Sequence, residues 1–336
     1  MLAIATLAAL LMLPSGMNFS LLTVAAKSAA GLGHPTDSST PVAAVTAARN
    51  GEPVNRDSVR VQVNLVNVPV SVVDRQGQPV TGLQRDDFSL TEDGDPETIR
   101  VFQAKAVHPL SMAMAIDTSA SVRTDLPFAK RAAADLAASL LGRDDCVELL
   151  AFADQVTRVV PFTANLHQLD HGFRALHGDG PTALYAAIAR AANDLASQSG
   201  RKVIVVISDG SNSVDGLDYE QARTAALRAQ ASIESIILVP IGANAGRDLG
   251  GEHALIQLAR DTGGQYFYAD GATPIQDAMT RLSLGLRSEY LLGYYPRQES
   301  TIAGGFRRIQ LRLTNPALNR AYRLQYRTGY YAEGTR

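Results

Sequence analysis

From Leu110 to Leu286 the chain repeats one alternation, a short apolar run followed by a stretch of helical periodicity, and few folds accommodate it. Ser111 to Ile116 is a buried-strand run, and Leu126 to Leu141 carries Leu126, Ala129, Ala133, Leu136 and Leu140 at helical spacing. Val147–Phe152 and Thr157–Phe162 read as strands joined by a tight Asp154-Gln155 turn, which makes them antiparallel. Helices are expected at Leu166–Leu176, Ala183–Ala196, Tyr219–Ala229, Ala254–Arg260 and Pro274–Leu286, and further strands at Lys202–Ile207, Ile236–Ile241 and Gln265–Tyr268. Such a chain specifies an α/β domain with a doubly wound, mostly parallel sheet covered by helices on both faces.

The flanks have a different rhythm. Val61 to Val73 alternates apolar and polar residues, Asp74 to Pro79 forms a turn, and Phe88–Glu92 and Ile99–Phe102 read as short strands. After Leu286, strands are expected at Glu289–Tyr295, Arg307–Leu313 and Tyr322–Thr328, with Gly304-Gly305 and Asn315-Pro316 as turns. Neither flank has enough strands to cover its own apolar face, so residues 60–109 and 287–336 are expected to pair into one β-sandwich-like domain around the inserted 110–286 domain. In that arrangement Val61, Val63 and Leu65 would face Ile309, Leu311 and Leu313 across a shared core.

Residues 1–30 contain the apolar stretch Leu2 to Leu13 and end in Lys27-Ser28-Ala29-Ala30. The stretch falls short of the ~18–20 residues of a spanning helix, and the small residues resemble a cleavage site, so the segment reads as a signal peptide or an N-terminal anchor. Export to the periplasm, the cell surface or the medium is the expectation, with membrane contact only if the segment stays uncleaved. Residues 31–59 are rich in Gly, Pro, Ser, Thr and Ala with scattered charges and no period, a linker.

The 31 basic and 33 acidic residues leave a formal charge of -2, with no positive field to gather phosphate backbones, so a nucleic-acid partner is not expected. The single cysteine, Cys146, excludes an intrachain disulfide and a cysteine metal cluster, and reads as a small buried hydrophobe.

In a doubly wound sheet, ligands sit beyond the carboxyl ends of the strands. Two strands end there in aspartate: Met112 to Ile116 runs into Asp117, and Val203 to Ser208 runs into Asp209. After Asp117 the sequence Thr118-Ser119-Ala120-Ser121 places hydroxyls on one side of an extended loop. Gly178-Asp179-Gly180-Pro181-Thr182 adds a third hydroxyl before a helix. Asp117, Ser119, Ser121, Thr182 and Asp209 are all hard oxygen donors, suited to Mg2+ or Mn2+ with a coordination position left for a partner.

These three segments resemble the metal-ion-dependent adhesion site of the von Willebrand factor A (VWFA) family. Asp117 to Ser121 looks like its Asp-x-Ser-x-Ser motif, with Ala120 where glycine is common. Thr182 before Leu184-Tyr185 is similar to its threonine loop, and Ser208-Asp209-Gly210 to its third loop. The resemblance implies that the two serines and the threonine bind metal and that the aspartates bind it directly or through water. The flanks are similar to those of VWFA-related proteins typical of Acidobacteria, in Asp74 to Val80, Asp86-Asp87-Phe88 and Tyr290-Leu291-Leu292-Gly293-Tyr294.

The expected function is binding of a protein partner that supplies an Asp or Glu to the metal. A metal-dependent hydrolase is the rival class, and it would need a general base, for which Asp179 is the extra carboxylate in these loops. A structural domain with a vestigial metal site is the third. No serine-hydrolase elbow and no phosphate-cradling glycine string is present. His167 and His171 stand four apart on an expected helix but read as a solvated face. The tyrosines crowding the C-terminal strands read as strand and core residues.

Overall fold

The computed structural model describes residues 65–104, 109–239, 247–297 and 305–332. The first flank gives β1 (Val66–Val73), β2 (Phe88–Glu92), β3 (Asp95–Glu97) and β4 (Val101–Ala104). Then follow β5 (Leu110–Asp117), α1 (Leu126–Leu140), β6 (Cys146–Phe152), β7 (Val156–Thr163), α2 (Leu166–Ala175) and α3 (Leu184–Ala196). The second half of the α/β domain adds β8 (Arg201–Ser208), α4 (Tyr219–Ala229), β9 (Ala231–Leu238), α5 (Leu249–Thr262), β10 (Tyr266–Ala269) and α6 (Ala272–Leu286). The last flank holds β11 (Tyr290–Tyr294), β12 (Phe306–Leu313), α7 (Pro316–Ala321), β13 (Arg323–Gln325) and β14 (Gly329–Tyr331).

The central sheet has the order β10-β9-β8-β5-β6-β7, parallel except for β7, which runs antiparallel to β6 as the short turn requires. The central strands β5 and β8 are apolar on both faces because both are covered: Met112, Met114 and Ile116 share a core cluster with α1, α2 and α6 on one side. Leu184, Ile188 and Leu255 of α3 and α5 pack Ala113, Ala115 and Val206 on the other. The helices begin where the sequence offers caps. Asp218 and Gln221 form a reciprocal capping box at α4, and Asp248 accepts the Gly251 N–H at the start of α5.

The flanks form two four-stranded sheets, β13-β1-β11-β4 and β14-β12-β2-β3, so each sheet takes strands from both ends of the chain. They share one core in which Val68, Val70, Tyr290 and Leu292 meet Phe88, Leu90, Ile309 and Leu311. The Tyr290 hydroxyl accepts the Leu83 N–H at 3.1 Å and donates to the Val80 carbonyl at 3.0 Å. The turn between β1 and β2 is fixed by Asp74, whose Oδ1 accepts the Gln76 and Gln78 N–H groups at 2.8 Å each.

Several elements differ from expectation. Val61 and Val63 lie outside the described residues, and the inward set on β1 has the opposite phase, Val66, Val68, Val70 and Val72, leaving Leu65 out of the core cluster. Strand β9 begins at Ala231, five residues early, because the polar Ser232, Glu234 and Ser235 are buried with hydrogen-bond partners. Helix α5 begins five residues early at its Asp248 cap. Asn315-Pro316 opens α7, with Asn315 accepting the Ala317 N–H and proline in the first turn, where its missing donor costs nothing. Of the expected strand Tyr322–Thr328 only β13 (Arg323–Gln325) forms, and a further short strand, β14, follows it at Gly329–Tyr331. Cys146 is half-buried, its thiol 3.5 Å from the Ser111 hydroxyl.

Candidate metal centre

The chain leaves β5 toward β6 on one side and reaches β8, β9 and β10 on the other, so the strand order reverses between β5 and β8. Ile116 pairs with Ile207, and the residues that follow, Asp117 and Ser208-Asp209, meet at the carboxyl edge of the switch point.

Asp117 is only 1% exposed, and both its oxygens are oriented. Oδ1 accepts the Ser119 N–H at 2.8 Å, and Oδ2 accepts the Ser208 hydroxyl at 2.6 Å. Ser208 Oγ in turn accepts the Gly210 N–H at 3.0 Å. Burial pushes the Asp117 carboxyl up to about 6, partly offset by the Ser208 and Ser119 hydrogen bonds, and the nearby Asp209 charge adds to the rise. Asp209 accepts the Ser211 N–H at 3.0 Å, which fixes the third loop around it.

The hydroxyls of buried Ser119 and exposed Ser121 lie 3.1 Å apart, on one side of the loop as an extended backbone dictates. The Ala120 N–H donates to the Gly180 carbonyl at 3.1 Å, tying this loop to the threonine loop, so the methyl that replaces glycine does not prevent the contact. Thr182, 2% exposed, is held at its backbone: its N–H donates to Ser213 Oγ at 2.9 Å and its carbonyl accepts the Ser213 N–H at 2.8 Å. Three loops are thereby laced together.

Two glycines allow the close packing. A Cβ on Gly178 would overlap the Thr118 carbonyl oxygen, and Gly210, at φ +90°, presses against the Gly251 backbone at the start of α5.

The donor chemistry fits a hard divalent cation. Among the described residues no three His, Cys, Asp or Glu side chains gather as a metal group; here two carboxylates meet neutral hydroxyls instead. Two buried carboxylates sharing one edge repel each other, and a cation between them relieves both the repulsion and the desolvation that raises Asp117.

Two further side chains have roles that the motifs do not assign. Ser208 is the hydrogen-bond partner of Asp117, and its place directly before Asp209 was the available signal. Asp125, buried ahead of α1, has its carboxyl pushed up by burial and leaves Oδ1 without a hydrogen-bond partner; nothing in the loop sequence marks it. Asp179 is exposed and pairs with Arg123 at 2.5 Å. The Gly180 N–H at 2.8 Å, and then Arg123, hold its carboxyl below the usual range. His167 and His171 are exposed on α2, and their neighbour Asp170 pairs with Arg174. Tyr290 and Tyr294 are fully buried core residues, and Tyr294 and Tyr330 both donate to Glu92.

A doubly wound α/β domain with oxygen donors at its switch point, inserted in a β-sandwich, is the class these features define. Residues 112–235 match the family model of the von Willebrand factor type A domain, and the chain carries a domain of that family. No curated protein matches the chain. Among solved structures, BatB from Bacteroides thetaiotaomicron, a conserved hypothetical protein, is 24% identical over 52% of this chain and 97% of its own, with a TM-score of 0.43. A von Willebrand factor type A protein from Catenulispora acidiphila is 12% identical over 82% of this chain and 75% of its own, TM-score 0.48. The PilB minor pilin from Streptococcus sanguinis is 12% identical over 55% and 63%, TM-score 0.43.

Proposed function

We propose that this chain is an exported binding protein that holds Mg2+ or Mn2+ through Asp117, Ser119, Ser121, Thr182 and Asp209, and engages a protein partner whose Asp or Glu completes the metal shell. The observation that carries the reading is the pairing of β5 and β8, which brings Asp117 at the end of β5 and Asp209 just after β8 to one edge at the switch point, with serine hydroxyls on the adjoining loop.

The bound ion would supply an electrophilic point for a carboxylate. The chain's own groups would do the rest: Ser208 and the Ser119 amide fix the Asp117 carboxylate, Ser211 fixes Asp209, and Ser213 fixes the Thr182 backbone. Neutral hydroxyls beside two carboxylates leave the ion without surplus negative charge, able to accept one more acid.

The hydrolase reading lacks support at its weakest point. Asp179, its candidate base, is paired with Arg123 and held charged, which makes it a poor proton acceptor. Export rests on the apolar segment Leu2 to Leu13, which lies outside the described residues; among the described residues no helix is long and apolar enough to cross a membrane.

The test is titration calorimetry of the full chain with Mg2+, wild type against Asp117→Ala, followed by capture from envelope extract with and without EDTA. One saturable site lost in the variant, and capture reversed by EDTA, are expected. Equal metal affinity in both proteins would remove the metal site, and capture indifferent to EDTA would move the partner to another surface.

A further inference from the structure

The opposite edge of the central sheet, where β8 and β9 begin, faces the sandwich. The two are fastened there by backbone contacts: the Thr328 N–H donates to the Asp261 carbonyl at 2.9 Å, and Arg327 bridges to Thr262. Between them lies a cavity of about 260 Å³ walled by Asn67, Arg201, Lys202, Gln230, Thr262 and Arg327.

Three cationic residues line this space, and their counter-charges differ. Arg201 is matched by Glu289, with Nε 2.8 Å from Oε2 and Nη2 3.0 Å from Oε1. Lys202 gives its ammonium to the Ala196 carbonyl at 3.0 Å. Arg327 is 6% exposed, and the acceptor it reaches is neutral, the Asn67 carbonyl at 2.7 Å from Nη2. Its guanidinium lies 5.4 Å from the Tyr330 ring centre, and its Nε has no hydrogen-bond partner. Among the described residues no carboxylate pairs with it.

A buried guanidinium without a paired carboxylate is costly unless an anion matches it, and the guanidinium fork suits an oxyanion. We propose that this junction cavity binds a small oxyanion of the phosphate class, held by Arg327 on the inner wall with Lys202 and Gln230 at the sides. At ~30 Å³ for a water in the liquid, the space has ample room for such an ion with several waters. Burial pushes the Arg327 pKa down to about 10, which leaves it cationic at neutral pH, and the neighbouring Arg201 charge acts in the same direction. Because the anion would touch both the α/β domain and the sandwich, its binding would clamp one to the other.

The experiment is thermal unfolding of the full chain in EDTA, which keeps the proposed metal site out of the measurement. Inorganic phosphate is titrated against chloride at equal ionic strength, with sulfate and acetate as further arms. Phosphate, and sulfate alongside it, should raise Tm saturably, with acetate weaker because it offers fewer oxygens. Arg327→Gln should weaken the apparent phosphate affinity by about tenfold or more, since a charge-assisted contact is lost. Gln230→Glu, at an exposed position on the cavity wall, should weaken it too, because a carboxylate lining the same space repels the anion. A phosphate shift no larger than that of chloride, or one that both variants retain, overturns the site; if Arg327→Gln does not fold, Gln230→Glu decides alone.

Discussion

The Ser208 hydroxyl donates to Oδ2 of Asp117 at 2.6 Å, joining the last residues of two neighbouring strands that lie far apart in the sequence. Ser208 is not among the five proposed metal ligands, yet it sets where the Asp117 carboxylate points. Ser208→Ala should therefore lower Mg2+ affinity roughly 10–100-fold, as loss of a ligand's hydrogen-bond partner does. Calorimetry is the measurement; unchanged affinity would mean that Asp117 needs no support from β8.

Mg2+ should raise the stability of the wild-type chain by about 2.7 kcal/mol at a concentration one hundred times its Kd. In Asp117→Ala that gain should vanish, while stability in EDTA should not fall by a comparable amount, because the deleted carboxylate is desolvated and repelled by Asp209. Urea titrations with and without Mg2+ separate the two effects. A variant that unfolds equally easily in both buffers but far below wild type would show Asp117 to be structural.

Stability should depend on pH through Glu234. This carboxyl is buried in β9, accepts the Gln265 N–H at 2.6 Å and the Ser232 hydroxyl at 3.0 Å, and is pushed up to about 7 by burial, with Arg201 opposing the rise. A folded-state pKa above the unfolded value of 4.5 means that the folded chain holds the proton more tightly. Its contribution is complete below about pH 4.5 and is lost as pH rises through about 7, in total roughly 3 kcal/mol. Glu148, pushed up to about 7 chiefly by burial, acts with the same sign. Glu234→Gln should flatten the decline between pH 5 and pH 8 in thermal unfolding; a slope identical to wild type would show that Glu234 ionises freely in place.

Leu311→Ala should cost about 2–5 kcal/mol, because Leu311 is buried where strands from the two flanks share one core. Mg2+ affinity below the unfolding transition should stay at the wild-type value, since β12 is remote from the β5–β8 edge. A denaturant curve and a calorimetric titration on one preparation check both halves.

The parts legible in the sequence were those governed by local period. Val203 to Ile207 is apolar at every position because both faces are covered, and Asp117 at the end of β5 and Asp209 just after β8 stand out against such runs. What escaped depends on partners distant in the chain. Ser232 and Glu234 look wrong for a buried strand until Arg201, Gln265 and Thr262 are placed around β9. The phase of β1 was read from Val61, Val63 and Leu65, whereas β1 buries the alternate set from Val66 onward because its neighbours β11 and β13, from the other end of the chain, decide which face is inside. Pro316 looked like a turn because a first-turn proline and a turn proline have the same local signature. Ser208 stands directly before Asp209, but its bond to Asp117 joins residues on different strands, which local period does not display.

Strands β4 and β11 are hydrogen-bonded neighbours, Ala104 opposite Tyr290, and the whole α/β domain is the connection between them. For an unstructured connection of that length, bringing the two strands together would cost on the order of 5 kcal/mol in chain entropy. A folded α/β domain has already brought its ends close and removes most of that penalty. The order of folding follows: the inserted domain, whose parallel strands are linked by its own helices, can form first, and the sandwich then closes over its two exits. Newly made chains in which the insert is slow to fold should accumulate with β1 and β4 unpaired, exposing sticky edges at the moment of synthesis.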